Sequence, residues 1–179
     1  MLKPQDCVVL LKLLANPDSY SWPQRKLSDS LCISLSEINA SMKRLFSTGL
    51  IREDLENGTL VPNLDASYEF LVHGLKYCFP VKLGKYSRGI PTGVAAPIFK
   101  DQFADSNEPI SIWPYFDGNA RGMVLEPLYK SVPKSIKEHP DLVFYNLLSL
   151  VDVIRGGRAR EKGIALKLLE SAIIGQKRQ

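Results

Sequence analysis

The sequence predicts an α+β fold with two parts. Residues 23–51 hold two amphipathic segments around a short turn, whereas residues 77–129 are rich in proline and glycine and lose the helical period. From residue 131 the helical spacing of apolar residues returns. Apolar residues three or four positions apart indicate helices, and short apolar runs between glycines or prolines indicate strands. We therefore predict helices and a hairpin in residues 1–62, and a smaller mixed domain of short strands and C-terminal helices in residues 63–179.

The composition is ordinary for a globular protein and offers few candidates for catalysis. The chain has 179 residues, of which 45% are hydrophobic and 23% charged. It has no run of about 18 apolar residues, so we expect no membrane partner. We recognise no Ser-His-Asp set, pair of catalytic carboxylates or nucleotide-binding glycine pattern. We therefore predict no catalytic residue and no enzymatic activity.

The cysteines and histidines are too few and too widely spaced to predict a metal site or a disulfide. Cys7, Cys32 and Cys78 are odd in number, which argues against a disulfide framework and for a reducing cytoplasm. His73 and His139 complete no metal-ligand spacing with these cysteines. We therefore expect a cytoplasmic protein without a metal ion or cofactor.

The first two helices follow from apolar spacing and from proline. Residues 4–15 predict the first helix, because Val8, Leu11 and Ala15 share one face, and residues 16–18 end it. Residues 20–22 are expected to form an extended link. Pro23 then suits the first turn of a second helix, where its missing N–H would be unpaired anyway. Leu27 and Leu31 stand four residues apart and share one face of that helix.

A third helix is predicted directly after a turn at residues 32–34. Ser34 and Glu37 have the spacing of a capping box, in which each side chain accepts a hydrogen bond from the backbone N–H of the other residue. Gly49 stands where a left-handed C-terminal cap is needed. The buried face is predicted from helical spacing to comprise Ile38, Met42 and Leu45. Two helices joined by three or four residues predict a helix-turn-helix.

The outer face of the third helix has the residue types of a DNA-recognition helix. Small and amide side chains near its start fit a major groove and reach base edges, and the cations one turn later can meet phosphates. An ordinary amphipathic surface helix also has a polar outer face, so the pattern alone leaves both interpretations open. The residues expected to contact DNA in this region are Arg25, Ser34, Ser36, Asn39, Ala40, Lys43 and Arg44.

This stretch resembles the winged helix-turn-helix transcription regulators, the MarR-like proteins in particular, over roughly the first third of the chain. The resemblance implies a winged-helix domain in residues 1–62, binding to double-stranded DNA and a role in transcription regulation. Helix-turn-helix proteins read two half-sites about one duplex turn apart, so a homodimer is expected. The matching residues are Gln24, Leu27, Ser28, Leu31, Ile33, Ser34, Ile38, Leu45, Gly49, Leu50 and Ile51.

A hairpin is predicted directly after the third helix, in the position of a wing. Asn57-Gly58 is the sequence expected for a two-residue type I′ turn, in which both residues have positive φ. Glu53, Asp54 and Glu56 make this wing acidic, whereas a wing along a phosphate backbone would be basic. This departure keeps a second interpretation open, a winged helix that contacts a partner protein, such as an antitoxin that also represses its own promoter.

Residues 63–179 are expected to form a connecting helix, short strands and a helical pair. The helix is predicted over residues 63–76, and strands over residues 77–81, 110–113 and 123–125. Residues 84–89 are expected to be a surface loop, with anion binding by Lys85 and Arg88 as the alternative. A short helix over residues 133–138 and a helical pair over residues 140–174 complete the prediction. The pattern HGLKYCFP, RGIPTGVAAP, EPLYKSVP and LLSLVDVIRGGRARE is similar to a region found beside winged helices in bacterial regulators, some of them abortive-infection-type antitoxins.

Positive charge is concentrated at the end of the chain. Residues 1–62 hold seven Lys or Arg and seven Asp or Glu, whereas residues 155–179 hold seven against two. Arg155, Arg158 and Arg160 form the densest basic run. Such a run is often a solvated face, and the alternative is a second set of phosphate contacts. We include these three arginines among the residues predicted to contact DNA.

Overall fold

The computed structural model describes residues 1–17, 22–103 and 108–178, and their fold is α+β. The predicted link at residues 20–22 lies outside the described part except for Trp22. No helix in the described ranges is long and apolar enough to cross a membrane. The main helices are α1 (Pro4–Leu14), α2 (Gln24–Leu31), α3 (Leu35–Ser47), α4 (Leu64–Glu69), α5 (Leu75–Cys78), α6 (Val132–Glu138), α7 (Leu142–Gly156) and α8 (Ala159–Ile173). The strands are β1 (Ile51–Glu53), β2 (Leu60–Pro62), β3 (Leu83–Pro91), β4 (Ser111–Pro114) and β5 (Ala120–Leu125).

Helix α1 lies at the centre of the hydrophobic core. The side chains of residues 8–11 have no exposed surface, and α1 packs against α2, α3, β2 and α7. Each fully buried leucine or valine contributes about 1.5–3 kcal/mol. The buried Lys12 of α1 forms an ion pair with the half-buried Asp141, with 2.7 Å between Nζ and Oδ2. The division at residue 62 stays a prediction, and α1 contacts the chain on both sides of it.

The hairpin is present, but its turn differs from the predicted one. Strands β1 and β2 pair antiparallel, with Ile51 opposite Pro62 and Glu53 opposite Leu60. Gly58 has φ of +64°, whereas Asn57 does not have the positive φ that a type I′ turn requires. The type I′ prediction was therefore wrong, because a longer loop, closed by a hydrogen bond from the Gly58 N–H to the Asp54 carbonyl, connects the strands.

The second sheet contains a strand that the sequence analysis missed. Strand β3 covers residues 84–89, where we expected a surface loop, whereas residues 77–81 do not form the expected strand. The predicted strands at residues 110–113 and 123–125 are present as β4 and β5. Strand β3 pairs antiparallel with both, and β4 and β5 pair parallel, so the three strands close on themselves.

Glycine permits this closure, because the three backbones approach too closely for side chains. A Cβ atom on Gly89 would lie 1.9 Å from the Trp113 carbonyl oxygen, and one on Gly122 would lie 2.1 Å from that of Ile110. The glycines that suggested a loop are therefore required by strand packing.

The remaining helices follow the predicted order. Asn63 caps α4 by accepting a hydrogen bond from the Ala66 N–H, and α4 continues through a π-helical turn (Phe70–Gly74) into α5. Helix α6 lies where a short helix was predicted, and α7 and α8 form the helical pair. Helix α7 begins two residues later than expected, with Asp141 as its N-cap.

Candidate nucleic-acid interface

The turn between α2 and α3 is held by hydrogen bonds between its two sides. The Ser28 hydroxyl donates to the Ile33 carbonyl at 2.6 Å, and the Ile33 N–H donates to the Ser28 carbonyl at 3.1 Å. Cys32 closes α2 with a left-handed backbone, φ 52° and ψ 41°. Leu27, Leu31 and Ile38 are fully buried beneath the turn. The two helices are therefore fixed relative to each other.

Both ends of α3 are capped, and the predicted N-terminal cap is confirmed in part. The Glu37 N–H donates to the Ser34 hydroxyl at 3.4 Å. The carboxylate of Glu37 accepts from Gln5 at 2.8 Å instead of completing the expected capping box with the Ser34 N–H. At the other end Gly49 has φ of +74°, and its N–H donates to the Phe46 carbonyl, as predicted for a left-handed cap.

The exposed face at the start of α3 continues onto α2. Ser34, Ser36, Asn39 and Lys43 are exposed on the α3 side, Ala40 is half-buried, and Arg25 is exposed on α2. The Asn39 amide donates to the Gln24 side-chain oxygen at 3.1 Å and so links the two helices. A shallow depression of about 750 Å³ lies between them, and its lining residues are Gln24, Arg25, Leu35, Ser36 and Asn39.

Arg44 does not have the outward position that the sequence predicted. Its guanidinium donates to both carboxylate oxygens of Asp6 at 2.7 Å, and it lies 4.0 Å from the Glu37 carboxylate. The hydrogen bond to Asp6 raises the pKa of Arg44. The expectation of a phosphate-contacting Arg44 is corrected, because a buried carboxylate on α1 already holds its charge. Arg44 instead fastens α3 to α1.

Arg155 is also buried, contrary to the expectation of an exposed basic run. Its guanidinium donates to the Phe79 carbonyl at 2.9 Å and to Asp152 at 3.0 Å. Asp152 accepts further hydrogen bonds from Thr92 and Trp113, each 2.8 Å long. Burial raises the pKa of Asp152 to about 6, although Arg155 and the two hydrogen bonds act in the opposite direction. Arg155 therefore joins α7 to the segment after α5, and it is not available to phosphate.

The other two arginines of the basic run are exposed. Arg158 pairs with Glu108 at 2.7 Å, and both side chains are mostly in solvent. Arg160 lies on the first turn of α8 and is exposed. Both arginines line a cavity of about 1650 Å³ between the closed sheet and the junction of α7 and α8. The surface part of the predicted basic run is thus reduced to this pair.

One acidic side chain of the hairpin loop forms hydrogen bonds within the loop. The Asp54 carboxylate accepts from the Glu56 N–H at 3.2 Å and from the Asn57 amide at 3.1 Å. Leu55 at the tip is 96% exposed, and Glu53 and Glu56 are exposed beside it. One of the three carboxylates therefore has a structural role, and the tip presents an apolar side chain between acidic ones.

The fold brings together three potential metal ligands that are far apart in the sequence. The ligand atoms of Cys32, Glu138 and His139 all lie within 4.8 Å of one another. Cys32 follows α2, whereas Glu138 and His139 stand at the end of α6, more than a hundred positions later. The linear spacing on which we based the expectation of no metal site could not reveal this cluster.

Comparison with protein-family models, with curated proteins and with solved structures gave no match for this chain. The resemblance to winged helix-turn-helix regulators therefore stays a prediction.

Proposed function

We propose that the chain is a DNA-binding transcriptional regulator, in which α2, α3 and the β1–β2 hairpin act as a winged helix-turn-helix and α3 enters the major groove. The observation that carries this proposal is the exposed polar face shared by Ser36, Asn39 and Lys43 of α3 and Arg25 of α2. Helix α3 has 13 residues and is therefore about 20 Å long. The major groove is about 12 Å wide and admits one α-helix.

The Asn39–Gln24 pair suits the recognition of a base edge. Asparagine and glutamine amides pair with the N6 and N7 atoms of adenine, because each offers one donor group and one acceptor group. The hydrogen bond between the two amides uses one donor of Asn39 and the acceptor of Gln24. The pair as a whole still offers the Asn39 oxygen and the Gln24 amino group, which is the combination that adenine requires.

The cations around this pair suit phosphate contacts. Lys43 lies one turn after Asn39, and Arg25 lies beside the depression between the helices. Arg44 acts indirectly, since its bonds to Asp6 hold α3 in a fixed orientation. Arg158 and Arg160 supply a second set of phosphate contacts, and Arg155 does not. Two copies of the chain form the homodimer that would place two α3 helices in successive major grooves of one cytoplasmic DNA target.

The test is binding of the purified chain to a random duplex library and then to the sequences enriched from it. The variant R25Q/K43Q removes two exposed cations and should weaken binding about tenfold or more, with the salt slope flatter by about 1.8 units. The matched control is K85Q/R88Q, which removes two exposed cations from β3. The proposal is overturned if no duplex is bound, or if the two double variants bind equally well. Light scattering on the same samples tests the homodimer.

A second candidate function is supported by the hairpin tip. Leu55 is almost fully exposed between Glu53 and Glu56, and such a tip suits a basic groove on a protein better than a phosphate backbone. In this function the chain is an antitoxin that binds its partner and represses their promoter. Co-expression with the product of the neighbouring gene tests it, because L55S should then abolish co-elution while leaving DNA binding intact. Co-elution that survives L55S would reject the tip as the contact.

A further inference from the structure

We propose that Cys32, Glu138 and His139 form a binding site for a transition-metal dication, Zn²⁺ in particular. None of these three residues is among those proposed to contact DNA, and the site joins the turn between α2 and α3 to the end of α6. Sulfur, nitrogen and oxygen ligands in one set favour Zn²⁺ over Mg²⁺ or Ca²⁺, which prefer oxygen ligands alone.

The distance between the cysteine sulfur and the glutamate oxygen is close to that of tetrahedral coordination. Cys32 Sγ lies 3.8 Å from Glu138 Oε2, and the three ligand atoms are all within 4.8 Å of one another. With Zn–S of about 2.3 Å and Zn–O of about 2.0 Å, sulfur and oxygen in a tetrahedral site are about 3.5 Å apart. Glu138 and His139 are exposed, so their side chains can rotate towards the sulfur.

The backbones that carry the ligands are held together by the folded core. The Ser135 hydroxyl on α6 donates to the Ser30 carbonyl on α2 at 2.7 Å. Leu31 and Ile136, one residue from Cys32 and two from Glu138, are both buried. The backbones that carry the ligands are therefore held in place, and binding an ion would not require a change of fold.

The chemistry leaves room for a fourth ligand. Three protein ligands are typical of zinc sites that keep one open position for water or a further group. Glu138 and His139 are exposed and Cys32 is half-buried, so an ion can enter from solvent. Lys134 lies 3.9 Å from Glu138 Oε1, whereas Oε2 is the oxygen that faces the cysteine. Lys134 thus pairs with one carboxylate oxygen, and the other oxygen faces the cysteine.

The experiment is titration of the full chain with Co²⁺, followed by displacement with Zn²⁺. A thiolate–cobalt charge-transfer band should appear at one ion per chain and disappear when Zn²⁺ is added. The variants C32S, E138Q and H139Q should each weaken binding about tenfold or more. The matched controls are C78S and H73Q, since both side chains are exposed and lie outside the cluster.

Three outcomes would reject the proposed metal site. Binding without a charge-transfer band, or a band that is lost in C78S and kept in C32S, rules it out. Equal affinities of H139Q and H73Q also count against it. Thermal melts of the metal-free variants establish that each one folds. Because the readout needs no DNA, failure of this site and failure of the proposed DNA binding are distinguishable.

Discussion

Arg44 of α3 donates two hydrogen bonds of 2.7 Å to Asp6 of α1, whose side chain has no exposed surface. Asp6 also accepts from the Lys3 N–H at 2.7 Å, which fixes the start of α1. A buried carboxylate with one guanidinium partner is costly to leave unpaired. This ion pair therefore connects the stability of α1 with the orientation of the helix that we propose reads DNA.

We predict that Arg44→Ala lowers the free energy of unfolding by about 3 kcal/mol, because it leaves the Asp6 carboxylate buried without its partner. The control is Lys43→Ala, which removes a neighbouring exposed cation and should change stability by less than about 0.5 kcal/mol. Urea unfolding of both variants is the measurement. If Arg44→Ala were as stable as Lys43→Ala, the ion pair would not hold α3.

The local parts of the fold were predictable from the sequence. Helix positions followed from apolar spacing, and Ser34 and Gly49 marked the two ends of α3 through hydrogen bonds that span only a few positions. Strand β3 could not be predicted, because its glycines are required by the close approach of the β4 and β5 backbones. These two strands come from a later part of the chain. No local pattern carries that information.

The candidate site was likewise predictable only where its residues are close in the sequence. The residues on the outer face of α3 could be identified from helical spacing, but the partner of Arg44 lies 38 positions away and that of Cys32 lies 106 positions away. Arg155 and Arg158 look equivalent in the basic run, yet the first is buried against the Phe79 carbonyl. Only the packing of separate elements determines which charged side chains stay in solvent.

The ion pair between Lys12 and Asp141 predicts a dependence of stability on pH. Burial opposes ionisation of Asp141, but hydrogen bonds from Lys12, the Phe144 N–H and Asn16 outweigh it and lower its pKa below the ordinary 3.8. A carboxylate with a depressed pKa stabilises the fold above its unfolded pKa, and this contribution is lost as the pH falls through the folded value. We therefore predict a loss of stability below about pH 4.

Asp141→Asn tests this origin by unfolding in urea between pH 2.5 and 7. The variant should lose about 3 kcal/mol at neutral pH, because Lys12 stays buried without a countercharge, and its stability should fall less steeply in acid. The control is Asp65→Asn, since Asp65 pairs with Lys177 at the surface. If the free energy of unfolding fell as steeply in acid for Asp141→Asn as for the parent, the pH dependence would come from other carboxylates.

The arginines of the basic run should separate into two classes. The variant R158Q/R160Q should flatten the slope of log affinity against log salt by about 1.8 units, since each phosphate contact contributes about 0.9. Its stability should match that of the parent chain, because both side chains are exposed. Arg155→Gln should instead destabilise the chain by about 3 kcal/mol, since Asp152 is fully buried.

Anisotropy titrations over a salt series and urea unfolding give both quantities for each variant. An unchanged salt slope in R158Q/R160Q would confine DNA contact to the N-terminal face. A stable Arg155→Gln variant with a flattened slope would reverse the assignment of Arg155.

Cys32 occupies a backbone conformation that favours glycine, so its side chain carries a cost that metal binding would explain. Its φ is 52°, and a residue with a Cβ atom in the left-handed region costs roughly 1–2 kcal/mol relative to the right-handed one. Glycine adopts this conformation readily but loses more conformational entropy on folding.

We predict that Cys32→Gly raises metal-free stability by about 0.5 kcal/mol and abolishes the cobalt charge-transfer band. The control is Cys32→Ala, which keeps the strained backbone and should also lose the band, without the gain in stability. If Cys32→Gly were less stable than Cys32→Ala in metal-free buffer, the left-handed backbone would not carry this cost.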